Sequence, residues 1–181
     1  MDITLRPARP EDAEEMVRWF QDLSELAQWG GPDVRFPLSV DQMAGWIAEI
    51  AREQPRICLT AVDERDVPTA HVQYLRDIPR KWARIGRFAV ARDRRGQGFG
   101  RAFFNQSVAY AFDTLGVEHL VLAVAVENSL ARGMYERSGF RDEEHSTSVR
   151  SDGVAYAVDI MGLKRADWIK RSAPTGAAKV A

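Results

Sequence analysis

The sequence predicts an α/β domain: a mixed, mostly antiparallel sheet flanked by helices. Two patterns carry this reading. Strands and helices are interleaved without strict alternation, and three strands follow one another in the middle of the chain. A helix then links two strands directly, which calls for a parallel crossover. The length of 181 residues suits one domain able to bury a core.

The elements follow in order. Residues 2–6 alternate loosely and read as a first strand. Pro10, with Glu11 and Asp12 behind it, opens a helix whose apolar face is Met16, Trp19, Phe20 and Leu23. Residues 24–38 hold Gly and Pro signals and read as a turn-rich stretch. Ser39 and Gln42 form a capping box for a second helix, with Met43, Trp46, Ile47 and Ile50 on its buried side and Pro55 as its stop. Residues 57–62, 69–74 and 83–91 read as an antiparallel meander. A helix spans about 98–114, and the near-continuous apolar run 119–126 reads as a strand covered on both faces. A short helix runs from Ser129 to Ser138. A hairpin turning at 151–153 brings back a last strand, Val154–Leu163. Residues 1–171 are thus expected to form one domain, and 172–181 a flexible tail.

Composition excludes several classes. Hydrophobic residues make up 45% and charged residues 28%, with a net charge of −1, so no global field attracts nucleic acid or membrane. The single Cys58 allows no internal disulfide and no multi-cysteine metal site. Asp2, Arg6 and Arg9 come too early for a signal peptide, and no run approaches the roughly 18 apolar residues of a membrane span. A cytoplasmic, metal-free protein is expected. The charge is unevenly spread, however. Residues 1–75 carry 7 basic and 14 acidic side chains, whereas residues 76–101 carry 9 basic and 2 acidic. The acidic remainder of the chain argues against a nucleic-acid interface there.

Within the basic window lies VARDRRGQGFGR, residues 90–101, between a strand and a helix. Gly96, Gly98 and Gly100 free the backbone to curl its N–H groups into one concavity. The helix start adds unpaired N–H groups and a positive dipole end, and Arg94, Arg95 and Arg101 stand nearby. These features suit a pyrophosphate. Arg101-Ala102 replaces the Lys-Ser/Thr of a Walker loop, and no reading frame satisfies G-x-G-x-x-G. The pattern present is R-x-x-G-x-G, at Arg95, Gly98 and Gly100. Downstream, Asn128 and Tyr135 stand seven residues apart, about 10 Å along one helix face. Asn128 equally suits a helix N-cap, Tyr135 a packing residue, and Gly139 a C-cap glycine.

From IGRFAV through RRGQGFGRAFF to ENSLARGMYERSGF, residues 85–140 resemble the cofactor-binding half of the GNAT superfamily of N-acetyltransferases. ITLRPARPEDAEEM resembles that family's first strand and helix. The resemblance implies the single-domain GNAT fold and an acetyl-CoA-dependent acetyl transfer to a primary amine, on a small molecule or a protein N-terminus. It implies that Phe88, Ala89 and Val90 hold the pantetheine arm through their backbone. Loop amides at Arg95, Gly96, Gln97, Gly98, Phe99, Gly100 and Arg101 would hold the pyrophosphate, and Asn128 would touch the cofactor. Tyr135 would protonate the leaving thiolate, and a homodimer is compatible with the family. The usual carboxylate positions hold Gly86 and Ala123 instead. Glu127 is the nearest substitute base, with His71 and His145 as further candidates. A site without a strong base suits α-amines, which cost about 1 kcal/mol to deprotonate at pH 7, better than lysine-like amines at roughly 4–5 kcal/mol. The missing carboxylates also leave room for a catalytically silent acyl-CoA-binding module. Trp29, Phe36, Asp22, Glu25 and Asp33 are expected to rim the acceptor side, or the two aromatics to staple that loop to the core.

Overall fold

The computed structural model describes residues 3–30, 34–52, 55–149 and 153–172. Seven strands form one sheet: β1 (Thr4–Pro7), β2 (Arg56–Val62), β3 (Pro68–Asp77), β4 (Trp82–Val90), β5 (His119–Ala125), β6 (Arg141–Val149) and β7 (Ala155–Lys164). Their spatial order is β1-β2-β3-β4-β5-β7-β6, and only the β4–β5 pair is parallel. That pair is joined by α4 (Phe99–Ala109) and a π-helical turn, Tyr110–Thr114, because parallel neighbours need a long crossover.

Strand alternation gives the sheet two apolar faces. On one, Val72, Tyr74, Ile85, Leu120 and Leu122 pack with Phe103, Phe104 and Phe112 of the crossover. The other face is covered by α1 (Ala13–Met16), α2 (Leu23–Gly30) and α3 (Val40–Ile50), which bury Met16, Trp19, Leu26, Met43 and Ile47. Two shorter helices complete the chain, α5 (Ser129–Arg137) and α6 (Arg165–Ser172). Beneath α1, the buried Asp12 accepts from both Arg6 Nη atoms at 2.8 and 2.9 Å, from Arg9 N–H and from Thr60 Oγ1.

Three expectations change. The helix opened by Pro10 is a single α turn between two 3-10 turns, and Phe20 turns extended, so its stripe breaks before Leu23. Leu23–Gly30 is helical rather than turn-rich: Asp22 Oδ1 accepts from Glu25 N–H at 2.8 Å, and Leu26, Ala27 and Trp29 are buried. The helix ends at Gly30. Finally, α6 fills residues 165–172, a stretch to which no element was assigned. Its Trp168 packs on Phe112 with ring centroids 5.2 Å apart. At α3, Ser39 Oγ accepts from Gln42 N–H as expected, but the Gln42 amide serves Arg35 N–H and Pro37 O instead of Ser39. The turn at 151–152 and residues 173–181 lie outside the described residues.

Candidate active site

The site is opened by a divergence of strands. Paired residues of β4 and β5 run from Trp82–His119 to Arg84–Val121 and stop there, although β4 continues to Val90 and β5 to Ala125. A wedge therefore opens between Ile85–Val90 and Leu122–Ala125, with the β4 backbone free on that side. A bulge shapes its edge. His71 pairs with Ala89 and Gln73 with Gly86, so Arg87 and Phe88 together oppose one residue of β3, and Arg87 takes φ 48°. The Arg87 carbonyl accepts from the Trp29 indole N–H at 2.8 Å. Phe88 stacks on Phe103 at 5.0 Å, while Ala89 and Val90 are buried. The three predicted pantetheine-side residues thus sit together at the wide end of the wedge.

Beyond Val90 the chain makes a 3-10 turn, Arg92–Arg94, and reaches α4 through the glycine loop. Gly96 and Gly98 hold φ 75° and 80°, and a Cβ at either would meet nothing within 4 Å. These left-handed positions favour glycine and curl the backbone beside open space. Gly98 caps α4 without a side-chain acceptor, leaving the N–H groups of Phe99, Gly100 and Arg101 without intrahelical partners. The pocket of amides fits a doubly charged phosphate group. Arg101 is exposed and forms no ion pair among the described residues. Arg95 departs from expectation, however. Its guanidinium donates to Glu25 Oε1 at 2.6 Å, to Trp19 O and to Val90 O, and its N–H goes to Arg92 O. Arg95 ties the loop to α2 instead of facing a ligand. Glu25 is held below its usual range: burial pushes it up, but Gln21 N–H and the Arg95 and Arg92 charges outweigh that.

Asn128 caps α5, accepting from Ala131 N–H at 3.1 Å, and its amide donates to Gln28 Oε1 at 2.9 Å. Tyr135 packs against Phe104 at 4.8 Å and Phe140 at 6.3 Å. Burial pushes its phenol up to about 12, so it remains a proton donor throughout the neutral range. Its hydroxyl makes no hydrogen bond with the described residues. Glu127 is exposed between β5 and α5, where it borders a cavity of about 360 Å3 with Ser24, Gln28 and Tyr156.

On the α2–α3 side of the sheet lies a groove of about 430 Å3 floored by Gln73, Gly86 and Ala123. Gln28 and Tyr156 line both cavities, so the two meet at the wedge. Of the expected rim, Trp29 lines the groove, and among the described residues no acid does. Trp29 is 7% exposed and staples α2 to β4, Glu25 is bound to Arg92 and Arg95, and Asp22 caps α2. Phe36 is exposed, and Asp33 lies outside the described residues. His71 is sealed between Trp29 and Trp46, with centroids at 6.3 and 5.8 Å. Burial pulls it down to about 3, so it is no proton acceptor for solvent or substrate at neutral pH. His145 Nδ1 lies 2.5 Å from Asp159, which Arg132 of α5 also holds, on the opposite face of β7 from the groove. Sequence reasoning missed the Trp29–Arg87 and Glu25–Arg95 contacts. The Asp22-x-x-Glu25 spacing, a capping-box signature, was the signal available for α2.

Known proteins match this arrangement. Over 56 residues the chain is 39% identical to the spermidine N(1)-acetyltransferase of Vibrio cholerae, covering 31% of this chain and 32% of that protein. Over 65 residues it is 37% identical to an uncharacterised N-acetyltransferase of Methanocaldococcus jannaschii, covering 36% and 42%. The matches thus span less than half of either relative. The fold is shared more widely. The spermidine N-acetyltransferase of Vibrio cholerae in complex with CoA and spermine superposes with TM-score 0.77 at 21% identity, over 92% of this chain and 98% of that one. A probable acetyltransferase gives 0.75 at 23% identity, over 92% and 94%. The sequence pattern of the acetyltransferase (GNAT) domain matches residues 2–141, most of the chain, and the protein belongs to that family.

Proposed function

We propose that the protein is an N-acetyltransferase that carries an acetyl group from acetyl-CoA to a primary amine, on a small molecule or a protein N-terminus. The observation that carries this reading is the wedge between β4 and β5, which opens at one end on the free amides of Gly96–Arg101 and lies between Tyr135's face of the sheet and the groove. Family membership and the names of the relatives support it. Acetyl-CoA, when bound, supplies an acyl thioester already activated toward amines. The chain's own residues do the rest. The amides from Gly96 to Arg101, with the Arg101 guanidinium, hold phosphate oxygens. The free backbone edge at Phe88–Val90 orients an amide-bearing arm and offers N–H donors to a carbonyl oxygen as charge develops on it. Asn128 sets the start of α5 and so the position of Tyr135. The Tyr135 hydroxyl donates to the departing sulfur. Glu127, at the end of β5, accepts a proton from the incoming ammonium side.

The absence of a carboxylate at Gly86 and Ala123, both on the groove floor, favours a second reading: a silent module that binds acyl-CoA without turnover. Thermal denaturation with acetyl-CoA, followed by thiol release over a panel of amines, separates the two. Turnover is expected, with Tyr135→Phe lowering kcat about a hundredfold and leaving the acetyl-CoA KM nearly in place. Stabilisation with no release from any amine leaves the silent module; no stabilisation removes both. Glu127→Gln is expected to shift the acid limb of the rate profile, and an unmoved limb excludes Glu127 as the base.

A further inference from the structure

The described lining of the groove on the α2–α3 side is basic. Arg56, Arg84 and Arg87 line it, and among the described residues no Asp or Glu does; Arg56 and Arg87 have partners of their own. Arg87 is positioned by aromatic rings, its guanidinium 4.3 Å from the centre of Trp46 and 5.7 Å from that of Trp29. Arg84 is exposed and makes no hydrogen bond or ion pair with the described residues. Its strand position is the last one paired with β5, so it stands where the wedge begins. Gln73 is a second, independent sign. It is only 8% exposed, lines the groove beside Gly86, and its amide makes no hydrogen bond with the described residues. The amide therefore keeps its access to the open groove, where a ligand can pair with it. The hydroxyls of Ser146 and Ser148 line the facing wall on β6.

Resting on the acetyltransferase reading, we propose that the acceptor amine belongs to a molecule that also bears an oxyanion, a carboxylate or a phosphate, and that Arg84 binds it with Gln73 as its polar neighbour. Arg84 lies two residues before Gly86 and four before Phe88, about 7 and 13 Å along the strand. An amine presented at the bulge while its anion rests on Arg84 therefore has a separation in that range. A short peptide with a free C-terminus meets it, as does an amino sugar phosphate. A polyamine such as spermidine offers no anion to Arg84.

Calorimetric binding to the CoA-loaded protein tests this without requiring turnover. The probes are the tripeptide Ala-Gly-Gly and its C-terminal amide, glucosamine 6-phosphate and glucosamine, and spermidine. The free acid or the sugar phosphate is expected to bind at least about tenfold more tightly than its uncharged counterpart, and whichever does so identifies the source of the oxyanion. In Arg84→Gln that ratio is expected to fall toward one, with the melting temperature held, because the side chain is exposed and unpaired. Gln73→Leu is expected to reduce the same ratio. Added salt should weaken only the anionic probes. Equal binding within both pairs, or tighter binding of spermidine, overturns the proposal while leaving the acetyltransferase reading intact. Failure of CoA itself to bind strikes that underlying reading, and the anion preference of the bare protein then decides the Arg84 site alone.

Discussion

The indole N–H of Trp29 donates to the carbonyl oxygen of Arg87 at 2.8 Å, joining α2 to the bulge of β4. Arg87 holds a left-handed φ of 48°, a conformation that a non-glycine residue keeps only when its surroundings fix it. Trp29 supplies that fixation and is itself wedged between Phe20 and Trp46, at 4.8 and 5.7 Å. Trp29→Phe keeps an aromatic ring but leaves the carbonyl without its donor. The expected loss is about 1–3 kcal/mol in urea unfolding, together with a raised KM for acetyl-CoA, because the bulge borders the wedge. A variant with full stability and unaltered KM would show that the bulge holds its shape alone.

Glu25 governs the glycine loop from outside it. Its carboxylate accepts from Arg95 and Arg92, and Arg95 also grips Trp19 O and Val90 O. Glu25→Gln removes the charge while keeping most of the shape. Because these side chains are about a third or more exposed, global stability should change little. Released Arg95 is instead expected to loosen the loop, raising the acetyl-CoA KM several-fold without lowering kcat. Equal falls in kcat and kcat/KM would place Glu25 nearer the chemistry than its position suggests.

The legible and the hidden parts of this chain differ in the range of the forces that make them. The meander, the crossover helix and the α5 start are written locally, in alternation, in a stripe through Phe103 and Ser107, and in Asn128 three residues before Ala131. The glycine loop is equally local, since Gly96 and Gly98 are demanded by their own φ values. By contrast, the role of Arg95 is decided by Glu25, 70 positions away, and that of Trp29 by Arg87, 58 away. No pattern near Arg95 distinguishes a phosphate donor from a tether. The acids of residues 22–33 likewise suggested a rim on the acceptor side, yet Asp22 caps α2 and Glu25 anchors Arg92 and Arg95. The groove's arginines come from two strands, Arg56 from β2 and Arg84 and Arg87 from β4, which only folding brings together.

His71 makes stability depend on acidity. Both ring nitrogens lie buried without hydrogen-bond partners among the described residues, and burial pulls the group down to about 3 from its ordinary 6.5. The folded state therefore stays neutral where the unfolded chain takes up a proton. Stability from this group is complete above pH 6.5 and declines as pH falls toward 3. Between pH 7.5 and pH 5 the expected loss is about 2 kcal/mol. Asp12 adds a loss of the same sign at lower pH: burial raises it, but Arg6, Arg9 N–H and Thr60 hold it below the usual carboxylate range. Urea unfolding of His71→Phe beside the parent isolates the histidine, and the parent should lose more stability than the variant on acidification. A parallel pair of curves would mean that His71 titrates alike in the folded and unfolded chain.

Gly86 offers a direct test of how the acceptor loses its proton. A Cβ there meets nothing within 4 Å, and the residue lies on the groove floor opposite Gln73. The fold therefore has room for Gly86→Glu, which places a carboxylate at a position where the family resemblance implies one. If amine deprotonation limits the parent, amines near pKa 10.4 suffer most at pH 7, since they cost about 4–5 kcal/mol against about 1 kcal/mol for α-amines. The variant is expected to raise kcat/KM for lysine-like amines about tenfold or more at pH 7 and to move the acid limb of the profile downward. The same carboxylate would stand two residues from Arg84 on the same strand, so acceptors bearing an oxyanion should bind it less well than the parent. Gains for cationic amines paired with losses for anionic ones would trace both effects to one groove. A rate profile unchanged for every amine would show that protons leave by a route that avoids Gly86, with Glu127 or a chain of water as the remaining acceptor.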